Sequence, residues 1–305
     1  MQLRRYDHAV YYTSSLFDSV SEQIRSTGCV KPTENYTLCH GFSTRHGGVS
    51  TLPHLSDLNF GFGLGEERET TLENYRRFAS VLGIVPGHAL AARQTHTDLV
   101  MTVDERFRGL NLQSAPDALP DGIPALDARF SDGWDAFVTD RKNVALSVRV
   151  ADCVPILFWD PVHAVIGAAH AGWKGTFAEI AGKTVLAMEA LGADRKDLLV
   201  SVGTSIGVCC YEVDDAFHTR FVEKFGEDLC RGCFTLRESG KYHCDLRACN
   251  RMLLEALGVP AEHIEVSPFC TCCDPGQFHS HRAAQKRDGK RGLMTAMISM
   301  ELDRI

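Results

Sequence analysis

No run in this 305-residue chain approaches the ~20 consecutive apolar residues that span a bilayer, so no membrane partner is expected. The opening M-Q-L-R-R-Y-D-H-A-V-Y-Y-T has neither a long apolar stretch nor a small-residue cleavage site. No secretory signal is expected there, and the reading is cytoplasmic. Positive charge is also short. A formal net charge of −7 speaks against a nucleic-acid partner, and the one basic concentration, Arg282–Arg291, reads as a solvated loop. Internal repeats, low-complexity tracts and local metal signatures such as H-E-x-x-H are lacking. Cysteine is scarce early on: of twelve, only Cys29 and Cys39 precede Cys153. In a cytoplasmic protein all are expected to be reduced thiols.

What is present is concentrated between Val148 and Gly175. V-R-V-A-D-C-V-P-I-L-F-W-D and A-V-I-G-A-A-H-A-G-W-K-G are two short apolar runs separated by the turn Asp160-Pro161-Val162-His163. Each run reads as a buried strand. Neighbouring strands would bring Cys153 and His170 together. That pair supports either a cysteine nucleophile with its base or two ligands of a zinc ion.

The rest of the chain predicts one α+β (mixed α/β) domain over 36–305, a mixed β-sheet core flanked by helices, behind an irregular leader over 1–35 with a short helix at Ser15–Ser26. Helices are expected at Glu69–Leu82 (capped by Thr70 or Thr71), Phe177–Leu191, Val213–Phe225 and Leu246–Leu257, with Gly192 and Gly258 as stops. Strands are expected at Ala91–Val103, Asp135–Thr139, Asn143–Val150, Ile156–Trp159, Ala164–Ala169, Leu198–Gly203, His263–Val266 and Leu293–Ser299. The Pro-, Asp- and Gly-rich stretch Arg106–Trp134 reads as a surface loop.

Several polar residues stand out. His96 lies in Gln94-Thr95-His96-Thr97, unusually polar for a strand. Asp152, beside Cys153, suits an acid/base, a residue orienting a ligand, or a turn cap. Arg45 precedes Gly47-Gly48, whose backbone can approach a ligand closely. Lys174 lies just before a helix whose N-terminus favours anions, and Arg282 follows Phe278-His279-Ser280-His281. Phosphate would suit these cations; three unrelated surface charges are the alternative. Cys230-x-x-Cys233 with Cys270-x-Cys272-Cys273 could form a structural zinc site or be scattered buried thiols.

Taken together, Ser43–Ser50 (S-x-R-x-G-G-V-S), Leu58-Asn59, Gln94-x-His96, Asp135-Ala136-x-Val138-Thr139, Ala151-Asp152-Cys153-x-Pro155, His170–Gly175, Tyr211-Glu212-Val213, Cys270-Thr271 and Phe278-x-Ser280-His281-Arg282 resemble the multicopper polyphenol oxidoreductase or laccase-domain family, which contains zinc-dependent purine nucleoside phosphorylases. The resemblance covers roughly residues 40–300. It implies zinc (Zn2+) held by His96, Cys153 and His170; the family's historical name would suggest copper (Cu2+). It implies a purine nucleoside and phosphate as small-molecule partners, bound by Arg45, Gly47, Gly48, Asn59, Gln94, Lys174 and Arg282, with Asp152, Arg45 and Lys174 in catalytic roles. The implied reaction is phosphorolysis of adenosine, inosine and methylthioadenosine, with adenosine deamination in some members. His279, Ala283 and Val202-Gly203-Thr204 depart from the family's usual residues, and a long basic insertion follows Ser280.

Three other functions compete. A cysteine hydrolase, or an editor of peptidoglycan precursors, would use Cys153 and His170. A copper-dependent polyphenol oxidase would need many paired histidines, and His279-x-His281 is the only H-x-H pair. A nucleotide-sensing module would bind without turnover. The H-x-E…P-C-x-x-C signature of zinc nucleobase deaminases is absent, so deamination would be a separate use of zinc.

Overall fold

A computed structural model describes residues 1–6, 9–27, 36–85, 89–103 and 133–302. The chain begins with a hairpin, β1 (Gln2–Tyr6) antiparallel to β2 (Ala9–Thr13), followed by α1 (Ser15–Thr27). β2 pairs in turn with β3 (Tyr36–Ser43). The first residues are therefore not an irregular leader. The A-V-Y-Y-T segment is β-branched and aromatic, largely buried, and extends a sheet. The junction drawn at 35/36 falls at the edge of an undescribed stretch.

α2 (Arg68–Val81) is capped by neither Thr70 nor Thr71. Glu67 occupies the cap without a side-chain bond, and Thr71 instead donates to Glu66 Oε1 at 3.1 Å. Of the strand expected over Ala91–Val103 only its last part forms, as β5 (Val100–Thr102); a short β4 (Ala89–Leu90) lies just before the expected range. The polar middle crosses between two sheets with its hydrogen bonds spent elsewhere. The expected loop at 106–134 lies almost wholly outside the described residues.

Then come β6 (Ala136–Thr139), β7 (Ala145–Val150), β8 (Val154–Asp160) and β9 (Val165–Ala171). The single helix expected from Phe177 is two, α3 (Trp173–Phe177) and α4 (Ile180–Glu189), separated where Glu179 adopts φ 62°. β10 (Leu199–Val202), β11 (Glu212–Val213) and α5 (Asp215–Phe225) follow. Next are α6 (Glu227–Cys233), β12 (Phe234–Leu236), β13 (Tyr242–Cys244), α7 (Leu246–Leu257), β14 (Ile264–Val266), α8 (His281–Gln285) and β15 (Met294–Leu302).

Two six-stranded sheets result, β1-β2-β3-β15-β7-β4 and β14-β10-β8-β9-β6-β5, with a small third sheet β11-β13-β12. Side-chain alternation stacks the first two face to face. Leu146, Val148 and Val150 meet Leu157, Trp159, Ile166 and Ala168 between them. The intervening Ile156, Phe158, Val165 and Ala169 face outward under α4 and α7, which contribute Val185, Met188 and Leu254. On the opposite outer face, Tyr75 and Phe78 of α2 cover Ala145 and Met297. Strands buried on both faces explain the near-continuous apolar runs. At about 1.5–3 kcal/mol per fully buried large apolar side chain, these layers dominate the folding free energy. Among the described residues no helix is long and apolar enough to cross a membrane.

Candidate active site

The β8–β9 register sets Pro155 opposite His170 and Val154 opposite Ala171. His170 shares parity with Ile166 and Ala168, so it lies on the inter-sheet face at the mouth of the sandwich. Cys153, one residue before β8, packs against the same cluster. The strand pair thus brings the thiol and imidazole together, as their spacing predicts.

His96 completes the group from the segment between β4 and β5. It is not on a strand; its backbone is left-handed, φ 63°. What holds it is Asp135, whose carboxylate accepts from Thr95 N (3.2 Å), His96 N (3.2 Å), Thr97 N (2.7 Å) and Thr97 Oγ1 (2.8 Å). The same carboxylate bonds His170 Nδ1 at 2.7 Å, leaving Nε2 to face Cys153. Gln94 is pinned similarly, exchanging hydrogen bonds with the backbone of Arg149 at 2.7 and 2.8 Å. This is an internal tie.

His96 Nε2 lies 3.7 Å from Cys153 Sγ, and the three ligand atoms lie within 4.8 Å of one another. Gly172 lets the site close in: a Cβ there would sit 2.9 Å from His96 Cδ2 and 3.0 Å from Cys153 Sγ, so one of these side chains would have to shift. Two nitrogens, one sulfur and an open side suit a catalytic zinc, and the Asp135–His170 bond is the outer support such ligands use. Burial opposes ionisation of Cys153, yet the charge and hydrogen bonds of His170 and His96 bring its thiol down to about 6. His170 is pushed up to about 9: burial acts against its charge, but Cys153 and Asp135 more than offset it. Burial works against the charge on Asp135 too, but His170 and Thr97 hold its carboxyl below the usual range.

Asp152 is buried and left-handed, φ 83°. Its carboxylate accepts from Thr271 Oγ1 (2.5 Å) and Arg282 N (2.6 Å), and its carbonyl from Ile206 N (3.0 Å). Such conformations store about 1–3 kcal/mol and persist where surroundings enforce them.

Of the three predicted cations, only Arg45 reaches the basic cavity. This recess of about 280 Å³ is lined by Arg45, His279, Ser280, Arg287, Lys290 and Arg291. Arg45 also ties loops together, donating to Ser56 O (2.9 Å) and Pro275 O (2.6 Å). Lys174 is exposed, its ammonium 5.7 Å from the centre of the Trp173 ring. Arg282 donates to Cys210 O at 3.2 Å and stacks over Tyr211. Gly47 donates to Asp57 Oδ1 at 3.0 Å, and a Cβ on Gly48 would collide with Asp57 O at 2.2 Å. Asn59 is buried and bonds Gly61 O and Glu66 Oε1.

The basic run is not simply a solvated loop. Arg291 turns inward; its Nε is buried with no hydrogen-bond partner among the described residues. Burial lowers its pKa, against the pull of Asp152 and Cys153. Asp135 and Arg291 are among the site residues to which sequence reasoning gave no role, together with Arg287 and Lys290 of the cavity. Asp135 opens a quoted motif, and Arg291 was one charge among several. His279 is buried, bonded to Leu58 O at 3.0 Å, while His281 is exposed. Neither joins a ligand cluster among the described residues. The cysteine partners also differ from expectation. Cys230 and Cys233 turn into the apolar core with Cys244 and Cys249, whereas Cys270 and Cys273 meet Cys209 and Cys210.

Residues 39–301 match the family described as Multi-copper polyphenol oxidoreductase laccase. The chain is 36% identical over 262 residues to Purine nucleoside phosphorylase YlmD of Geobacillus stearothermophilus, covering 85% of this chain and 88% of that protein. It is 33% identical over 256 residues to Adenosine deaminase RL5 from an unknown prokaryotic organism, covering 82% and 90%. The crystal structure of YlmD from Geobacillus stearothermophilus superposes with a TM-score of 0.75 at 30% identity, over 98% of each chain.

Proposed function

Because the chain belongs to the multi-copper polyphenol oxidoreductase laccase family, and its relatives bear the names of nucleoside enzymes, we propose that it cleaves purine nucleosides with phosphate. Adenosine, inosine and methylthioadenosine are the substrates, with adenosine deamination as a second activity. The observation that carries this reading is the convergence of His96, Cys153 and His170, and a separate cavity lined by Arg45, Arg287 and Arg291 supplies basic groups for an anion.

In phosphorolysis a phosphate oxygen bonds to C1′ of the ribose as the C1′–N9 bond breaks, giving ribose 1-phosphate and the free base. The sugar becomes cationic in the transition state and needs positioning more than covalent help. Arg45, Arg287 and Arg291 supply the positive field for phosphate, and the orphan Nε of Arg291 is a donor awaiting an acceptor. Asp152, beside Cys153, is the carboxylate for moving a proton. Zinc is the metal that the ligand set of His96, Cys153 and His170 fits, and when bound it supplies Lewis acidity at its open position. Deamination exchanges the C6 amine for a water oxygen with release of ammonia, drawing on the same carboxylate.

Purified protein given adenosine or inosine should release base and ribose 1-phosphate only when phosphate is present. Base release that continues unchanged without phosphate would make the protein a nucleoside hydrolase. The paired Cys153 and His170 would equally suit a cysteine nucleophile. The third ligand at 3.7 Å favours metal. Accordingly, iodoacetamide should label Cys153 slowly before chelation and quickly after it, as followed by peptide mapping.

A further inference from the structure

Outside this site a second group of thiols converges. The turn after β10 carries Cys209 and Cys210, and the segment after β14 carries Cys270-Thr271-Cys272-Cys273. The two are stitched by a parallel bridge between Ser205 and Cys270 and by Thr271 N donating to Ser205 O at 3.0 Å. Cys209 and Cys210 both approach Cys273, with sulfurs 3.3 and 3.4 Å apart, and all four sulfurs of Cys209, Cys210, Cys270 and Cys273 lie within 4.8 Å of one another.

We propose that these four cysteines form a tetrathiolate zinc site, structural in role and separate from the His96–Cys153–His170 cluster. A zinc ion bonded to four thiolates at about 2.3 Å sets its sulfurs about 3.8 Å apart along each edge. The two short contacts of 3.3 and 3.4 Å and the 4.8 Å limit on all four sulfurs bracket that edge. Cys270-x-x-Cys273 has the two-residue spacing of a zinc-binding turn, and Gly207 N donates to Cys270 Sγ at 3.2 Å, the kind of backbone support that favours a thiolate. A disulfide would use only two of the four sulfurs; a tetrahedral ion uses them all. The remaining cluster, Cys230, Cys233, Cys244 and Cys249, is sunk in the apolar core and offers no comparable opening.

The site would clip together the two segments that wall the active site. One supplies Ile206 N to the Asp152 carbonyl and Cys210 O to the Arg282 guanidinium. The other supplies Thr271 Oγ1 to the Asp152 carboxylate and Pro275 O to Arg45. Closed sites with four protein ligands contribute directly to folding free energy.

The full-length protein should contain two zinc equivalents by elemental analysis and native mass spectrometry. His170→Ala should keep one, and Cys209→Ser or Cys273→Ser should lose the other. After exchange into cobalt, most of the intense thiolate-to-metal charge-transfer absorption should survive in His170→Ala, whereas Cys273→Ser should leave only the weaker band of the single Cys153 thiolate. A wild-type protein with a single equivalent that vanishes in His170→Ala would overturn the proposal. So would a Cys209–Cys273 or Cys210–Cys273 disulfide found by peptide mapping alongside one zinc. If Cys273→Ser does not fold, the metal content of His170→Ala still decides. The outcome is independent of phosphorolysis, since neither result bears on whether phosphate is a substrate.

Discussion

Asp135 is a single carboxylate that fixes two of the three residues proposed to hold zinc. It accepts from three successive backbone N–H groups of the His96 segment and from the His170 ring. An asparagine there would present an amide NH2 donor where one of the two acceptor oxygens is needed. Asp135→Asn should therefore weaken zinc binding about 10–100-fold, measured by competition with a chromogenic chelator; unchanged affinity would remove Asp135 from the centre. Arg291 supports a second prediction. Arg291→Gln should lower kcat/KM for phosphate by about 10²-fold, and Lys174→Gln by far less, because Lys174 is exposed beside Trp173. The reverse order, in steady-state kinetics with varied phosphate, would restore Lys174 to the role the family resemblance implies. Neither role was legible in the sequence for the same reason: composition does not reveal which charge of a basic run turns inward, nor which distant amides a carboxylate will gather.

Elements buried on both faces were readable, and elements defined by polar satisfaction were not. β8 and β9 announced themselves as apolar runs, and their pairing brought Cys153 to His170. The bounds of α7 were legible, with Gly258 closing it at φ 104°; the structure adds Asp245 as the cap of its first turn. The 91–99 segment was misread because its polar middle, unusual for a strand, gives its amides to the Asp135 side chain instead of a neighbouring strand. The helix after Lys174 was misread because left-handed Glu179 breaks it with no proline or glycine as warning. The turn between β9 and α3 gives a test at this scale. Gly172→Ala should displace His96 or Cys153 and reduce zinc occupancy, while circular dichroism and the thermal midpoint of the metal-free protein change little. Full zinc content in Gly172→Ala would show that the pocket yields more easily than its contacts imply.

At the scale of the whole molecule, two buried histidines set an acid limit. Burial pushes His40 down to about 4 and His279 down to about 3, against about 6.5 in an unfolded chain. The unfolded state therefore binds more protons than the folded state between those values. Stability from the neutral rings is complete above pH 6.5 and is lost as pH falls toward 4 and 3. Each contributes a slope of at most about 1.4 kcal/mol per pH unit. Urea midpoints should decline from pH 6.5 to 5, and His279→Phe should make that decline shallower whatever its effect at neutral pH. An identical slope would mean that His279 is protonated in the native protein.

The sheet order carries one more consequence. β15 lies between β3 and β7, pairing with both, and Thr295 N reaches Ser43 Oγ from 252 residues along the chain. During synthesis the first sheet therefore exists as two unjoined halves until its central strand leaves the ribosome. Until then Leu146 and Val148 lack their strand partners Ile298 and Ala296, and Phe42 lacks Ala296. Nascent chains stalled before Met294 should be protease-sensitive and held by chaperones, because the seam closes last.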